Sequence, residues 1–161
     1  MIHALTYQVE DFARVLPELK QLIGQHYDEV AVLQDKIPLD PDYARYDQLH
    51  RSGVLHVTTA RADGELVGYH IAIISTHLHY KSTVVASDDL FFLKPEHRQG
   101  FAGVRLFKEV ERTLKARGVK VCVNRAKRHV KVGHHQETVG RMLEALGYEE
   151  FERNYIKWIG D

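Results

Sequence analysis

The residues best placed to do chemistry lie in one stretch, from Leu90 to Gly103. Leu90-Phe91-Phe92-Leu93 is apolar and prone to strand. Pro95 ends the run, because proline cannot donate to a ladder. His97, Arg98, Gln99, Gly100, Phe101, Ala102 and Gly103 then lead into a helical periodicity. A helix N-terminus presents free N–H groups and partial positive charge. Gly100, Ala102 and Gly103 lack bulk, so an anion can reach the backbone. Strand, glycine turn and helix together make a diphosphate site. The same element also serves packing alone in many α/β proteins.

Proton-transfer candidates lie just upstream. Asp88 and Asp89 are adjacent in a strand pattern, so they are expected to point to opposite faces. Asp89 shares its expected face with Phe91 and Leu93. His77 and His79 are two apart and share a strand face if the strand continues, while Tyr80 points away. Two histidines near neutrality could relay a proton, or they could mark a half-exposed face. With Asp89 they would supply three metal ligands on neighbouring strands. Cys122, the one cysteine, sits among valines and reads as a buried, inert thiol.

These residues need elements to hold them. His3–Val9 reads as a strand. Asp11 offers an N-cap, and Phe12, Val15, Leu16, Leu19, Leu22, Ile23 and Tyr27 recur at helical spacing. Pro17 should break that helix or start it. Asp40 and Pro41 open a second helix that Gly53 closes, with Tyr43, Tyr46 and Leu49 as its apolar face. Val54–Ala60 and Glu65–His77 are strands joined by a turn at Asp63-Gly64. Ser82–Leu93 is a further strand. Gly100–Ala116 is a helix with Val104, Phe107, Val110 and Leu114 on one face. Val119–Asn124 is a short strand, Glu137–Leu146 a helix, and Glu149–Ile159 a last strand. His134 and His135 are adjacent and read as surface or loop residues. The order β-α-α-β-β-β-α-β-α-β implies an α/β (α+β) fold with a mixed sheet and helices on both faces.

The bulk properties narrow the class. The chain has 161 residues, a single-domain length over 1–161, and no linker or repeat divides it. Lys plus Arg and Asp plus Glu are 22 each, so no net charge supports a dedicated nucleic-acid binder. Residues 1–60 carry nine acids and five bases, whereas 61–161 carry 13 and 17. The two patches read as solvated faces or as docking sides for a cationic and an anionic ligand. No apolar run spans a membrane, the N-terminus lacks a signal pattern, and the lone cysteine fits a reducing cytoplasm.

The element order and His97-x-x-Gly100-x-Ala102 resemble the GNAT (Gcn5-related) N-acetyltransferases. That family's signature is Gln/Arg-x-x-Gly-x-Gly/Ala at the start of the helix after the fourth strand. This chain has His97 where the family has Gln or Arg. Leu93-Lys94-Pro95 and Leu146-Gly147-Tyr148 also look like family segments. His77-Leu78-His79-Tyr80, Asp89-Leu90-Phe91-Phe92 and Pro95-Glu96-His97-Arg98 are similar to small members carried in bacteriophage and prophage genomes.

The resemblance implies a mostly antiparallel sheet of six to seven strands with about four helices. It implies acetyl-CoA in a V between the fourth and fifth strands, with no metal. Arg98 to Gly103 would cradle the pyrophosphate, and the strand edge at Phe92 and Leu93 would pair with the pantetheine arm. The basic cluster at Lys120–Lys131 would meet the 3′-phosphate. The activity implied is N-acetyl transfer to a primary amine in a ternary complex. Asp89 would be the base, with His77, His79 and Tyr80 as further candidates. Many members use a last-helix tyrosine as acid, and the matching position here is Leu143. Tyr80, Tyr148 and Tyr155 are its substitutes. Homodimers occur in the family, although no strand here announces an interface. A non-catalytic acyl-CoA-binding protein and a histidine-dependent metal hydrolase are the alternatives.

Overall fold

A computed structural model describes residues 4–127 and 135–160, with 135–137 described by their backbone alone. The chain divides into two compact units. The first holds residues 1–23 and 41–125, and the second holds 24–40 and 126–161.

The first unit is built on a five-stranded sheet in the order β1-β2-β3-β4-β5. The strands are β1 (Leu5–Val9), β2 (Leu55–Ala62), β3 (Glu65–His77), β4 (Tyr80–Leu93) and β5 (Val121–Val123). The first four pair antiparallel, and β5 joins β4 in parallel. On one face pack Phe12, Val15, Leu19 and Leu22 of α1 (Phe12–Val30), against Leu55, Val57, Leu66, Tyr69, Ile71 and Phe92. Tyr43, Tyr46 and Leu49 of α2 (Tyr43–Arg51) join this cluster from the edge. On the other face Leu106, Val110 and Leu114 of α3 (Ala102–Ala116) pack on Ala60, Val67, Ala72, Ala86 and Leu93. The mixed, mostly antiparallel sheet with helices on both faces is the expected class.

The boundaries differ from expectation where local chemistry competes. Helix α1 starts at Phe12 and runs through Pro17. Asp11 caps it by accepting from the Ala13 and Arg14 N–H groups at 2.8 and 3.4 Å. Pro17 and Ala13 are both exposed, so the carbonyl that proline leaves unbonded is solvated. Helix α2 is capped by Asp42, not Asp40, through the Arg45 N–H at 2.9 Å. The Asp63-Gly64 turn has φ of 48° and 87°, the left-handed pair that a two-residue hairpin requires.

The second unit holds the end of α1, the loop to Asp40 and α4 (His135–Ala145). His135 therefore opens a helix, and His134 lies outside the described residues. Glu149–Ile159 is not a strand. Its residues are exposed, Tyr155 at 91% and Ile159 at 89%. Alternation alone makes no strand where no ladder partner satisfies the backbone. The sheet therefore has five strands among the described residues rather than six or seven.

One buried polar contact ties β2 to α3 and gives a pH signature. His56 is buried, its Nε2–H donates to Thr113 Oγ1 at 2.9 Å, and its Nδ1 accepts from Arg117 Nη1 at 3.1 Å. Thr113 passes its own hydroxyl proton to the Glu109 carbonyl at 2.7 Å. This pattern holds only for a neutral ring, and burial, with Arg117 adding to it, pushes the His56 pKa down to about 4. The unfolded chain then binds a proton that the folded chain refuses. Stability from this group is complete above the unfolded value near 6.5 and falls as pH drops towards 4. The expected loss over that window is about 3 kcal/mol. Thermal unfolding of wild type and His56→Gln at pH 7.5 and 4.5 checks it, the variant losing less between the two.

Candidate functional site

The candidate site lies where β4 parts from β5. The two strands pair only over Val85↔Val121, Ala86↔Cys122 and Ser87↔Val123. Beyond Ser87, β4 continues for six residues with β3 on one side and no strand on the other among the described residues. A salt bridge marks the parting point. Asp88 accepts from the Arg125 backbone N–H at 3.0 Å and from Arg125 Nη1 at 2.9 Å, while Arg125 Nη2 donates to Ser87 Oγ at 2.9 Å. Asp88 is nearly enclosed, and its pKa is raised by burial against the opposing pull of Arg125. His70, on the same face, donates from Nε2–H to Asn124 Oδ1 at 2.9 Å, and burial lowers its pKa.

Asp89 sits on a bulge. The β3–β4 register runs Ala72↔Asp88 and then Ile71↔Leu90, so Asp89 has no partner across the ladder. The extra residue changes the faces. Asp89 accepts a hydrogen bond from the Tyr46 hydroxyl on the α2 side. Phe91 packs instead on Phe107 of α3 at 4.8 Å between centroids, and Leu93 joins that α3-side cluster. Asp89 therefore does not share a face with Phe91 and Leu93, because strict alternation fails at a bulge. The exposed Asp89 and enclosed Asp88 do separate as expected.

The open edge of β4 follows from one bond. The Lys94 N–H donates to the Val67 carbonyl at 2.8 Å, towards β3. Alternation then turns the N–H and C=O groups of Phe91 and Leu93 to the other edge and those of Phe92 to β3. Phe92 is also 2% exposed, so neither its backbone nor its ring is available to an arm on that edge. The open-edge residues of β4 are thus Phe91 and Leu93, whereas Phe92, expected on that edge, is turned to β3. The Leu93 carbonyl is already taken by Arg98 Nε at 2.7 Å, with the Arg98 guanidinium 5.6 Å over the Phe92 ring. Leu93 keeps its N–H on the open edge. Gly68 permits this packing, since a Cβ there would stand 2.6 Å from Leu93 Cδ1 and 2.9 Å from the Phe92 carbonyl oxygen.

The turn and helix start lie directly beyond. His97 sits in a short 3-10 helix, Pro95–His97. Gly100 has φ of 62°, which a side chain would strain. Helix α3 begins at Ala102 rather than Gly100, and no side chain caps it at Phe101. The N–H groups of Ala102, Gly103 and Val104 have no acceptor within the helix. The Tyr7 hydroxyl of β1 donates to the Ala102 carbonyl at 3.1 Å and fixes this end. Gln99 and Phe101 are exposed.

The histidine segment is elsewhere. His77 ends β3, Leu78 and His79 form the turn, and Tyr80 begins β4. His77 and His79 therefore share no strand face, and the His79 N–H donates to His77 Nδ1 at 3.1 Å. The rings of His77, His79 and Tyr80 cluster at this exposed hairpin tip. Tyr80 and Asp89 are nine steps apart along β4, about 30 Å at the usual rise. Asp89 cannot share an ion with these histidines, so that three-ligand set does not assemble. Leu143 is buried at 6% exposure, and Tyr155 is fully in solvent. Arg128 to Lys131 lie outside the described residues. In the sequence Tyr46 reads only as part of an apolar face, and nothing in its spacing ties it to Asp89, 43 residues away.

No family model matches the sequence, and no curated protein matches it. Solved structures do. An aminoglycoside acetyltransferase from an uncultured soil metagenomic sample superposes with a TM-score of 0.75 at 16% identity, covering 98% of this chain and 99% of that one. The ribosomal-protein-alanine N-acetyltransferase of Brucella melitensis gives 0.68 at 16%, covering 98% and 100%. The aminoglycoside N-acetyltransferase AAC(6')-Iy in complex with CoA gives 0.69 at 20%, covering 97% and 95%. At these identities the likeness is one of architecture, and the chain has the GNAT acetyltransferase fold.

Proposed function

We propose that the protein transfers an acetyl group from acetyl-CoA to the primary amine of a cationic acceptor. The observation that carries this is the divergence of β4 from β5 at Ser87. It leaves the Phe91 N–H and C=O and the Leu93 N–H on an open edge that runs into the Gly100 turn and an uncapped helix. An extended amide-bearing arm fits such an edge, and its diphosphate fits such a helix end. Acetyl-CoA would lie along that line, with Arg98, Gln99, Gly100, Phe101, Ala102 and Gly103 around the pyrophosphate.

The chemistry is direct. The acceptor ammonium gives a proton to Asp89, and the neutral amine attacks the thioester carbon. The C–N bond forms, the C–S bond breaks, and the tetrahedral oxygen is held by edge N–H groups of β4. The second amine proton passes to water as the amide forms, water returns one to the thiolate, and Asp89 then gives its own proton to solvent. Leu143 supplies none. Asp88 acts differently, as the clamp that sets the parting of β4 and β5. Asp88→Asn is expected to weaken acetyl-CoA binding about tenfold while turnover at saturation persists. Binding isotherms beside saturating rates check this.

Neighbours of this fold include structures with sisomicin and with CoA, and these guide the choice of acceptors. The test is CoA release with spermidine, sisomicin and a peptide beginning with alanine. Thermal unfolding with acetyl-CoA should rise by about 5–10 °C at 100 times the dissociation constant, and ATP should leave it unchanged. Binding without turnover on any amine would favour a second reading, a non-catalytic acyl-CoA-binding protein. The buried Leu143 at the expected acid position favours that reading. The segments His77–Tyr80 and Asp89–Phe92 support a place among the small phage-carried members. The lone cysteine supports a reducing compartment, and a homodimer is an assembly state open to test by sedimentation.

A further inference from the structure

Asp89 stands on an unpaired bulge residue and is exposed, so its backbone alone does not fix its carboxylate. One side chain does. The Tyr46 hydroxyl donates to Asp89 Oδ2 and leaves Oδ1 for another partner. Tyr46 is itself held in place. Its ring stacks on the buried Phe12 at 5.5 Å between centroids and 20° between planes. Helix α2, which carries it, is tied to the α1 cap by His50 Nε2 and Asp11 Oδ2 at 2.9 Å. Lys20 of α1 lies 4.9 Å over the neighbouring Tyr43 ring. Nothing on α2 is fully buried, so these contacts fix the helix against the sheet.

We infer that Tyr46 is the positioning residue for Asp89: it pins one carboxylate oxygen so that the other faces the acceptor amine. This rests on the acetyl-transfer reading and deepens it. The titratable groups around the pair are Tyr43 on α2, Tyr69 on β3 and Asp88 next along β4. Burial, and then the bond to Asp89, holds the Tyr46 phenol above its ordinary range. It therefore stays a donor throughout the working pH range. A pinned carboxylate takes the proton in one geometry, and a free one must find it among several.

Tyr46→Phe keeps the ring on Phe12 and removes only the hydroxyl. With the three acceptors above, its turnover is expected to fall about tenfold, with KM for acetyl-CoA unchanged. The spectroscopic arm follows the tyrosine Cζ resonance that is missing in Tyr46→Phe. In Asp89→Asn this resonance should move at neutral pH, because the phenol then donates to a neutral amide oxygen in place of a carboxylate. Wild-type turnover by Tyr46→Phe, or an unmoved Tyr46 resonance in Asp89→Asn, would overturn the inference. Wild-type turnover by Asp89→Asn would instead overturn Asp89 as proton acceptor, and the resonance would still decide the pairing. If Tyr46→Phe does not fold, the resonance in Asp89→Asn decides alone.

Discussion

Asp89→Asn is expected to lower turnover by about 10²–10³-fold, with acetyl-CoA binding unchanged. The amide keeps the shape and still accepts from Tyr46, so the bulge and α2 stay in place. What it loses is the capacity to take a proton from the ammonium. Asp89 is exposed and lies two to four residues before the open edge of Phe91 and Leu93, so a thioester laid on that edge would pass it. Asp88 cannot take its place, since both oxygens serve Arg125. Steady-state rates with saturating acetyl-CoA, beside binding isotherms, separate the two effects. A variant that turns over normally would remove Asp89 from the mechanism.

Arg61→Ala is expected to destabilise the fold by about 3 kcal/mol. Arg61 Nε donates to Glu10 Oε1 at 2.7 Å, and its Nη2 donates to Glu18 Oε1 at 2.8 Å. Its Nη1 reaches Glu18 Oε2 at 2.9 Å and the Gly64 carbonyl at 2.7 Å. One guanidinium thus joins the end of β1, α1, β2 and the Asp63-Gly64 turn. Arg61 and Glu10 side chains keep only 13% and 15% exposure, so water replaces the lost bonds poorly. Burial by itself would raise the Glu10 pKa, but hydrogen bonds, Arg61's above all, bring it down to about 2. Removing Arg61 leaves two carboxylates facing each other across the gap. The melting temperature should fall by about 6–12 °C at neutral pH. The deficit should shrink as pH falls through the carboxylate range, because protonation relieves the stranded acids. Calorimetry at pH 7 and pH 4 reads both. A neutral substitution would mean that the network only decorates the surface.

The legible parts of this protein are those that local chemistry dictates. The Asp63-Gly64 hairpin could be read because positive φ at two successive positions demands such residues. The turn at Gly100 could be read because apolar strand, proline, glycine and helical period succeed one another within 14 residues. The helix bounds at Pro17 and Asp42 could not, since solvation of one carbonyl and a choice between nearby caps decide them. The bulge at Asp89 left no trace either. Two adjacent aspartates look the same whether or not one of them is extra in the ladder, and every face assignment after them depends on it. The turn at Leu78-His79 contains no glycine, proline or asparagine, so His77 and His79 looked like strand neighbours. Tyr46 and Arg125 act across 43 and 37 residues of chain, distances that only the sheet closes.

The central claim is that acetyl-CoA lies along the open edge of β4 and ends on the α3 N-terminus. Amide chemical-shift mapping during an acetyl-CoA titration tests it most directly. The predicted result is saturable displacement of the Phe91, Leu93 and Gly100 to Val104 amides, with the hairpin tip at Leu78 and His79 unmoved. Saturable shifts elsewhere with these amides still, or no shifts at all, would contradict it.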